Sequence, residues 1–253
     1  MKEFIKRTLT GLILPIGILL AWHITVTYGS IPAGILPGID RVIRVFSEML
    51  HNGQLAADLS ASLSCVLRGY LISAVLGIVL GSFMGMSKTI KELLLPTVTV
   101  IRQIPMIAWI PLVILWFGIG DITKTIVIVL AAFFPVLVNT QSGIETTPKG
   151  YTEVAQLYRL NPVKTFLKVY LPHALPQILV GLRLGLGISW MAVVGAELIA
   201  STTGIGYRMS YARSMMRADI VIMCMIVVGI IGIVMDKLLG IIFQAATPWN
   251  HHK

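Results

Sequence analysis

Apolar runs of about 20 residues recur along the chain, and that length constrains the fold more than any other feature. An α-helix needs about 20 predominantly apolar residues to cross a hydrocarbon core ~30 Å thick. Such runs occupy roughly 8–28, 64–86, 94–118, 122–143, 178–200 and 220–244. Of the 253 residues, 56% are hydrophobic and only 12% charged, where a soluble domain carries about 25% charged residues. The expectation is an all-α polytopic membrane protein with six transmembrane helices. The first run follows MKEFIKR and has the look of a signal peptide, but it is long and has no small-x-small cleavage site, so it reads as an uncleaved span.

The net charge of +9 does not point to nucleic acid, because the basic residues sit between the apolar runs rather than in a stripe. Eleven of the 20 Lys and Arg fall on the side of the N-terminus, among them Lys88, Lys91, Lys149, Arg159, Lys164 and Lys168; six fall on the other side, including Arg41, Arg44 and Lys124. The excess places both termini and the loop 145–177 in the cytoplasm. Cys65 and Cys224 lie far apart in apolar segments, which indicates neither a disulfide framework nor a metal site.

Within the runs, three features stand out. Gly77, Gly81 and Gly85 recur every fourth residue, and Gly181 and Gly185 repeat the spacing, offering faces where another helix packs closely. The third run holds Pro96, Pro105 and Pro111 and is expected to be kinked or broken, as happens in membranes where a helix is buried or lines a cavity. Charges also fall inside the runs: Arg68, Arg102 next to Gln103, Arg183 and Glu197. Such charges face a path or a partner. Arg102 and Arg183 are candidates for a translocation path or gate, Arg68 and Glu197 weaker ones, with structural pairing as the alternative. Arg183 and Glu197 are about 21 Å apart along one helix, so each needs a partner elsewhere. Between the first two runs, RVIRVFSEML has apolar positions at helical spacing and suits a short amphipathic helix at the outer surface, after a turn at Leu36-Pro37-Gly38.

The stretch YTEVAQLYRLNPVKTFLKVYLPHALPQILVGL, Tyr151 to Leu182, is a polar, basic insert between two apolar runs. Tyr151 to Tyr158 suits a short helix. Asn161 is placed as an N-cap with Pro162 at the first helical position of a second helix, which Leu171-Pro172 is expected to end. The order Glu153-Val154-Ala155, a turn at Arg159, then Val169-x-Leu171-Pro172 resembles the coupling-loop signature of ABC importer permeases. There an E-A-A triplet is followed by a Gly turn and an I-x-L-P ending. Arg159 departs from that pattern: in a left-handed turn it carries a cost of about 1 kcal/mol that Gly avoids.

The resemblance extends from about Leu63 to Leu239. RQIPMIAWIPLVILWFGIG (Arg102 to Gly120) and GAELIASTTGIGYRMSYARSMMRAD (Gly195 to Asp219) are similar to permeases for aliphatic sulfonates, taurine, nitrate and bicarbonate, most of all to the sulfonate and taurine branch. It implies the type I ABC importer architecture: a first span and outer segment in 1–62, a permease core in 63–245 containing the loop 145–177, and a cytoplasmic tail 246–253. It also implies two cytoplasmic ATPase subunits that hold ATP and Mg, an extracytoplasmic solute-binding protein and a second permease copy, in this branch a homodimer. Related permeases also move aromatic acids, flavins and pyrimidine precursors, which stand as alternative substrates. Arg208, Arg213 and Arg217 would form an outer gate or binding-protein dock, with Gly204-Ile205-Gly206 supplying flexibility; a solvated loop is the plain alternative.

No other chemistry competes. The sequence has no G-x-x-x-x-G-K-[ST] phosphate loop, so the chain is not itself expected to hydrolyse ATP or to carry a cofactor. Its five histidines lack metal-ligand spacing, and His251-His252 reads as a solvated end. An ion-coupled secondary transporter would show repeated halves and acids deep in its spans, where Glu197 is the one expected. A membrane enzyme would need a clustered His, Asp or Ser set that is absent.

Overall fold

The computed structural model describes residues 2–29, 31–32 and 34–246, with side chains from 13 to 243. The tail beyond 246, with His251 and His252, lies outside the described residues, as do the side chains of Lys2, Lys6 and Arg7. In chain order the elements are α1 Lys2–Tyr28, α2 Ile39–His51, α3 Gln54–Met86, α4 Lys88–Gln103, α5 Met106–Phe117 and α6 Asp121–Glu145. They continue with α7 Lys149–Leu157, α8 Pro162–Thr165, a π-helical turn Phe166–Tyr170, α9 Leu171–Ala200, α10 Ile205–Ser214 and α11 Ala218–Ala246. Among the described residues there is no strand.

Four helical stretches are long and apolar enough to cross a membrane: Gln54–Met86, Asp121–Glu145, Pro162–Ala200 and Ala218–Phe243. The pair α4–α5 makes a fifth if taken as one span, bent by 95° at its break. In α1 the described apolar stretch, Ile13–Tyr28, is shorter than a span. The break at Ile104–Pro105 is the interruption expected of the third run. Of its three prolines only Pro105 lies at the break; Pro96 and Pro111 sit inside helices. Pro105 has no N–H to give, and its ring disfavours helical geometry at Ile104, which is extended (ψ 120°).

The bundle is built on α3, α6 and α9, which pack more intimately than any other elements. Small residues make this possible. A methyl group added to Gly81 would lie 2.6 Å from the Leu137 carbonyl oxygen, and one on Gly181 would lie 2.7 Å from the Asn139 Cβ, so the backbones approach as only glycine permits. Gly77 and Gly85 meet α6 at Val136 and Ile144 in the same way, and Gly185 meets Val136. Buried indole and phenol groups reach backbone oxygens: Trp190 donates to Val228 (2.9 Å) and Tyr70 to Leu182 (3.1 Å).

The end of the bundle remote from α7 and α8 is closed by α2 and α10. Val42, Val45 and Met49 of α2 join a core with Cys65, Val66, Ile128, Trp190 and Cys224, the amphipathic helix expected from RVIRVFSEML. The preceding turn sits at Gly34–Leu36, and Gly38 is the N-cap of α2. One sequence expectation is overturned. Leu171-Pro172 does not end a helix but begins α9, so the helical path from Pro162 to Ala200 is unbroken. The wide π turn before it explains why: it relieves the clash a proline ring makes with the preceding turn, and Pro172 falls where a missing N–H is tolerated.

Candidate functional site

The loop 145–177 forms a compact module. α7 ends at Leu157 with Tyr158 as its C-cap, and the chain reverses through Arg159 at φ 49°, in the left-handed region. The Leu160 N–H donates to the Ala155 carbonyl (3.0 Å) and the Arg159 N–H to that of Gln156 (2.9 Å), a Schellman closure of α7. Asn161 then caps α8, its side-chain oxygen accepting from the Lys164 N–H at 2.8 Å, with Pro162 at the first position. A cavity of about 610 Å³ lies between α7 and the start of α9, walled by Ala155, Val169 and Pro172. Ala155 is 2% exposed; Glu153 is exposed and has no bonded partner among the described residues. Outside the spanning segments the module presents Tyr151, Val154 and Leu157 of α7 and Tyr158 at its C-cap, with Val163 and Leu167 at the start of the Pro162–Ala200 stretch behind them, all at least half exposed. Leu171 begins α9, half-buried against the bundle.

The intramembrane charges separate into distinct settings. Arg102 closes α4 beside the break and lines a cavity of about 440 Å³ with Asn139, Phe134, Leu184 and Ile188; Gln103 next to it is exposed. Arg183 is turned away, to α11, where its Nε and Nη2 donate to the two carboxylate oxygens of Asp236, both at 2.6 Å. Arg68 bonds only its own helix, at the Ser64 carbonyl and hydroxyl (both 3.3 Å). Glu197, 1% exposed, accepts from the Ser62 hydroxyl (2.8 Å) and the Gly206 N–H (2.9 Å), joining α3, α9 and α10. The partners that Arg183 and Glu197 need are thus on other helices. Asp236 corrects the expectation that Glu197 is the one acid inside a span.

At the closed end, Arg208 donates to Asp58 (2.7 Å), and Arg217 and Arg41 both donate to Asp219 (2.9 and 3.0 Å). The hydrogen bonds to these carboxylates raise the pKa values of Arg208 and Arg217 above the ordinary arginine value. Arg213 is exposed and without a partner among the described residues. The expected flexibility of Gly204-Ile205-Gly206 is overturned: Ile205 is fully buried and its N–H donates to Ser62 (3.0 Å). Lys124, counted with the outer basic residues, is buried. It is 1% exposed and pairs with Asp121 at 2.8 Å. Asp58, Ser62 and Asp236 escaped the sequence reading; Asp236 had left a signal, a carboxylate inside an apolar run, as had Lys124, a cation inside the run 122–143.

A bundle of apolar helices with one broken span, and a structured polar module on one connection, fits a membrane permease. The chain belongs to the family described as binding-protein-dependent transport system inner membrane component, whose model matches residues 74–247. It is 36% identical to a putative ABC transporter permease of Methanocaldococcus jannaschii over 97% of this chain and 93% of that one. It is 34% identical to a putative aliphatic sulfonates transport permease of Bacillus subtilis (95% and 87%) and 35% identical to the taurine transport system permease of Escherichia coli (76% and 70%). The fold matches that of an amino acid ABC transporter crystal structure, with a TM-score of 0.64 at 17% identity, over 79% of this chain and 97% of that one. An inward-facing methionine ABC transporter gives a TM-score of 0.61 at 16% identity (74% and 94%). The chain is a multi-pass inner-membrane permease of an ABC importer, a class of protein that works with ATPase subunits.

Proposed function

We propose that this chain is the membrane path and two-state gate of an importer for a small oxyanion, an aliphatic sulfonate or taurine ahead of nitrate or bicarbonate. Two ATPase copies, which carry the ATP and Mg, bind a homodimer of the chain, and an extracytoplasmic solute-binding protein delivers the substrate. Both termini and the 145–177 module face the cytoplasm. The observation that carries the reading is the module itself. Apolar side chains of α7 left exposed outside the spans, on a helix closed by a Schellman turn and followed by the capped α8, suit insertion into a groove on another protein. Because α8, the π turn and α9 form one unbroken helical path, a push on the module by closing ATPases moves α9 with it and shifts the balance between two access states. ATP hydrolysis rests on the separate ATPase and needs no cofactor in this chain. The relatives' names supply the substrate class; the free cation Arg102 agrees with it.

The test is copurification of the native chain and of Glu153→Arg with the partner ATPase, followed by ATP hydrolysis in lipid with binding proteins loaded with a sulfonate, taurine or nitrate. Native assembly that Glu153→Arg breaks, with stimulation by one loaded binding protein, is the expected result. Absence of any ATPase from the purified native chain would overturn the reading.

A further inference from the structure

The break between α4 and α5 leaves a cation without a counterion. Arg183 is neutralised by Asp236 and turned to α11, while Arg68 is bonded along its own helix. Arg102 has no hydrogen bond or ion pair among the described residues, and it lines two adjoining cavities of about 440 and 140 Å³. In the larger one its only polar companion among the described residues is Asn139, which donates one N–H to the Pro135 carbonyl (2.8 Å) and has a second to offer. Phe134, Leu184, Ile188 and Met106 supply apolar wall, and among the described residues no carboxylate lines that cavity. In the smaller one Glu145 is already engaged by Lys91 (2.8 Å) and Gln141 (3.1 Å).

From this arrangement we propose that the larger cavity is an intramembrane subsite for an organic monoanion with an uncharged aliphatic tail, of the alkanesulfonate kind. The oxyanion head meets the guanidinium fork of Arg102 and the free amide N–H of Asn139, and the tail lies on Phe134, Leu184 and Ile188. A guanidinium presents paired donors that match two oxygens of such a head. A zwitterion like taurine brings an ammonium that no acid in this cavity receives, so its transfer from water is penalised. Nitrate leaves the apolar walls unused. The inference rests on the importer reading above and narrows its substrate by the shape and charge of one site.

The test uses the intact permease–ATPase complex in lipid nanodiscs without nucleotide, with radiolabelled butanesulfonate as probe. Saturable binding is expected, displaced readily by hexanesulfonate and at least about tenfold less well by taurine or nitrate. Arg102→Gln weakens binding by about tenfold or more, and Arg102→Lys, which keeps the charge but loses the fork, weakens it less. Arg68→Gln binds as the native complex does. Leu184→Glu, which supplies the missing acid, shifts competition toward taurine. If Arg102→Gln binds butanesulfonate as well as the native complex, or if taurine and nitrate compete as well as hexanesulfonate, the subsite is wrong. Loss of the subsite in a complex whose ATPase still responds to a loaded binding protein leaves the importer reading standing; failure of the ATPase to copurify removes both.

Discussion

Arg183 of α9 and Asp236 of α11 meet as a two-pronged ion pair, with both N–O distances at 2.6 Å, across 53 residues of sequence. The pair is about half exposed on the surface of this chain, inside two apolar spans. It therefore ties the helix that continues from the loop module to the last span of the chain. A lone charge at this depth is unfavourable in lipid, and losing one partner strands the other. Arg183→Asp and Asp236→Arg should each reduce folded yield and transport sharply, and the double exchange should restore both in large part. The measurement is fluorescence-detected size exclusion of each variant together with uptake. An exchange that rescues nothing would show that position, not pairing, matters.

The turn at Arg159 makes a directional prediction. A non-glycine residue at φ 49° is strained, and Gly at this position relieves about 1 kcal/mol. Arg159→Gly should slow hydrogen exchange of the Leu160 amide, which closes α7, whereas Arg159→Val should speed it because β-branching worsens the left-handed conformation.

Asn161→Ala removes the acceptor of the Lys164 N–H, and an N-cap of this kind contributes about 1 kcal/mol. Exchange of the Lys164 and Thr165 amides should quicken severalfold in the assembled transporter. Asn161→Asp retains the acceptor and should leave protection intact.

Glu197 holds the end of the bundle formed by α3, α9 and α10. Glu197→Ala leaves the buried Gly206 N–H without its acceptor and the Ser62 hydroxyl with only the Asp58 carbonyl (3.2 Å), a loss of about 1–3 kcal/mol. Glu197→Gln keeps one oxygen for Gly206 and should fall between Ala and the native chain in thermal unfolding of the solubilised protein. An Ala variant as stable as the native chain would sink the assignment.

Gly81→Ala should destabilise by about 1–3 kcal/mol, because the added methyl would sit 2.6 Å from a backbone oxygen that cannot swing aside. Gly195 on α9 has nothing within 4 Å of a built Cβ, so Gly195→Ala should be neutral or slightly stabilising. Paired thermal melts distinguish the two.

Much of this molecule was legible as pattern. Apolar runs of spanning length, four-residue glycine spacing, the proline at the α4–α5 break and the Asn161-Pro162 helix start are local signals. Their physics is contained in the neighbouring residues: hydrophobic length, missing side chains, a missing N–H and a side-chain cap. The two short helices of the loop 145–177 were legible for the same reason. The exit of that loop was misread because Leu171-Pro172 looks like a terminus until a π turn upstream makes room for the ring. What the local pattern did not contain was the pairing of charges. Nothing near Arg183 in the chain indicates Asp236, nothing near Glu197 indicates Ser62, and nothing near Lys124 shows how deeply it is buried. Arg68, Arg102 and Arg183 are alike as entries in an apolar run. Packing of α3, α6, α9 and α11 turns one along its own helix, pairs another, and leaves Arg102 facing a cavity, because only the folded bundle sets which helix faces a charge and how far from water it lies.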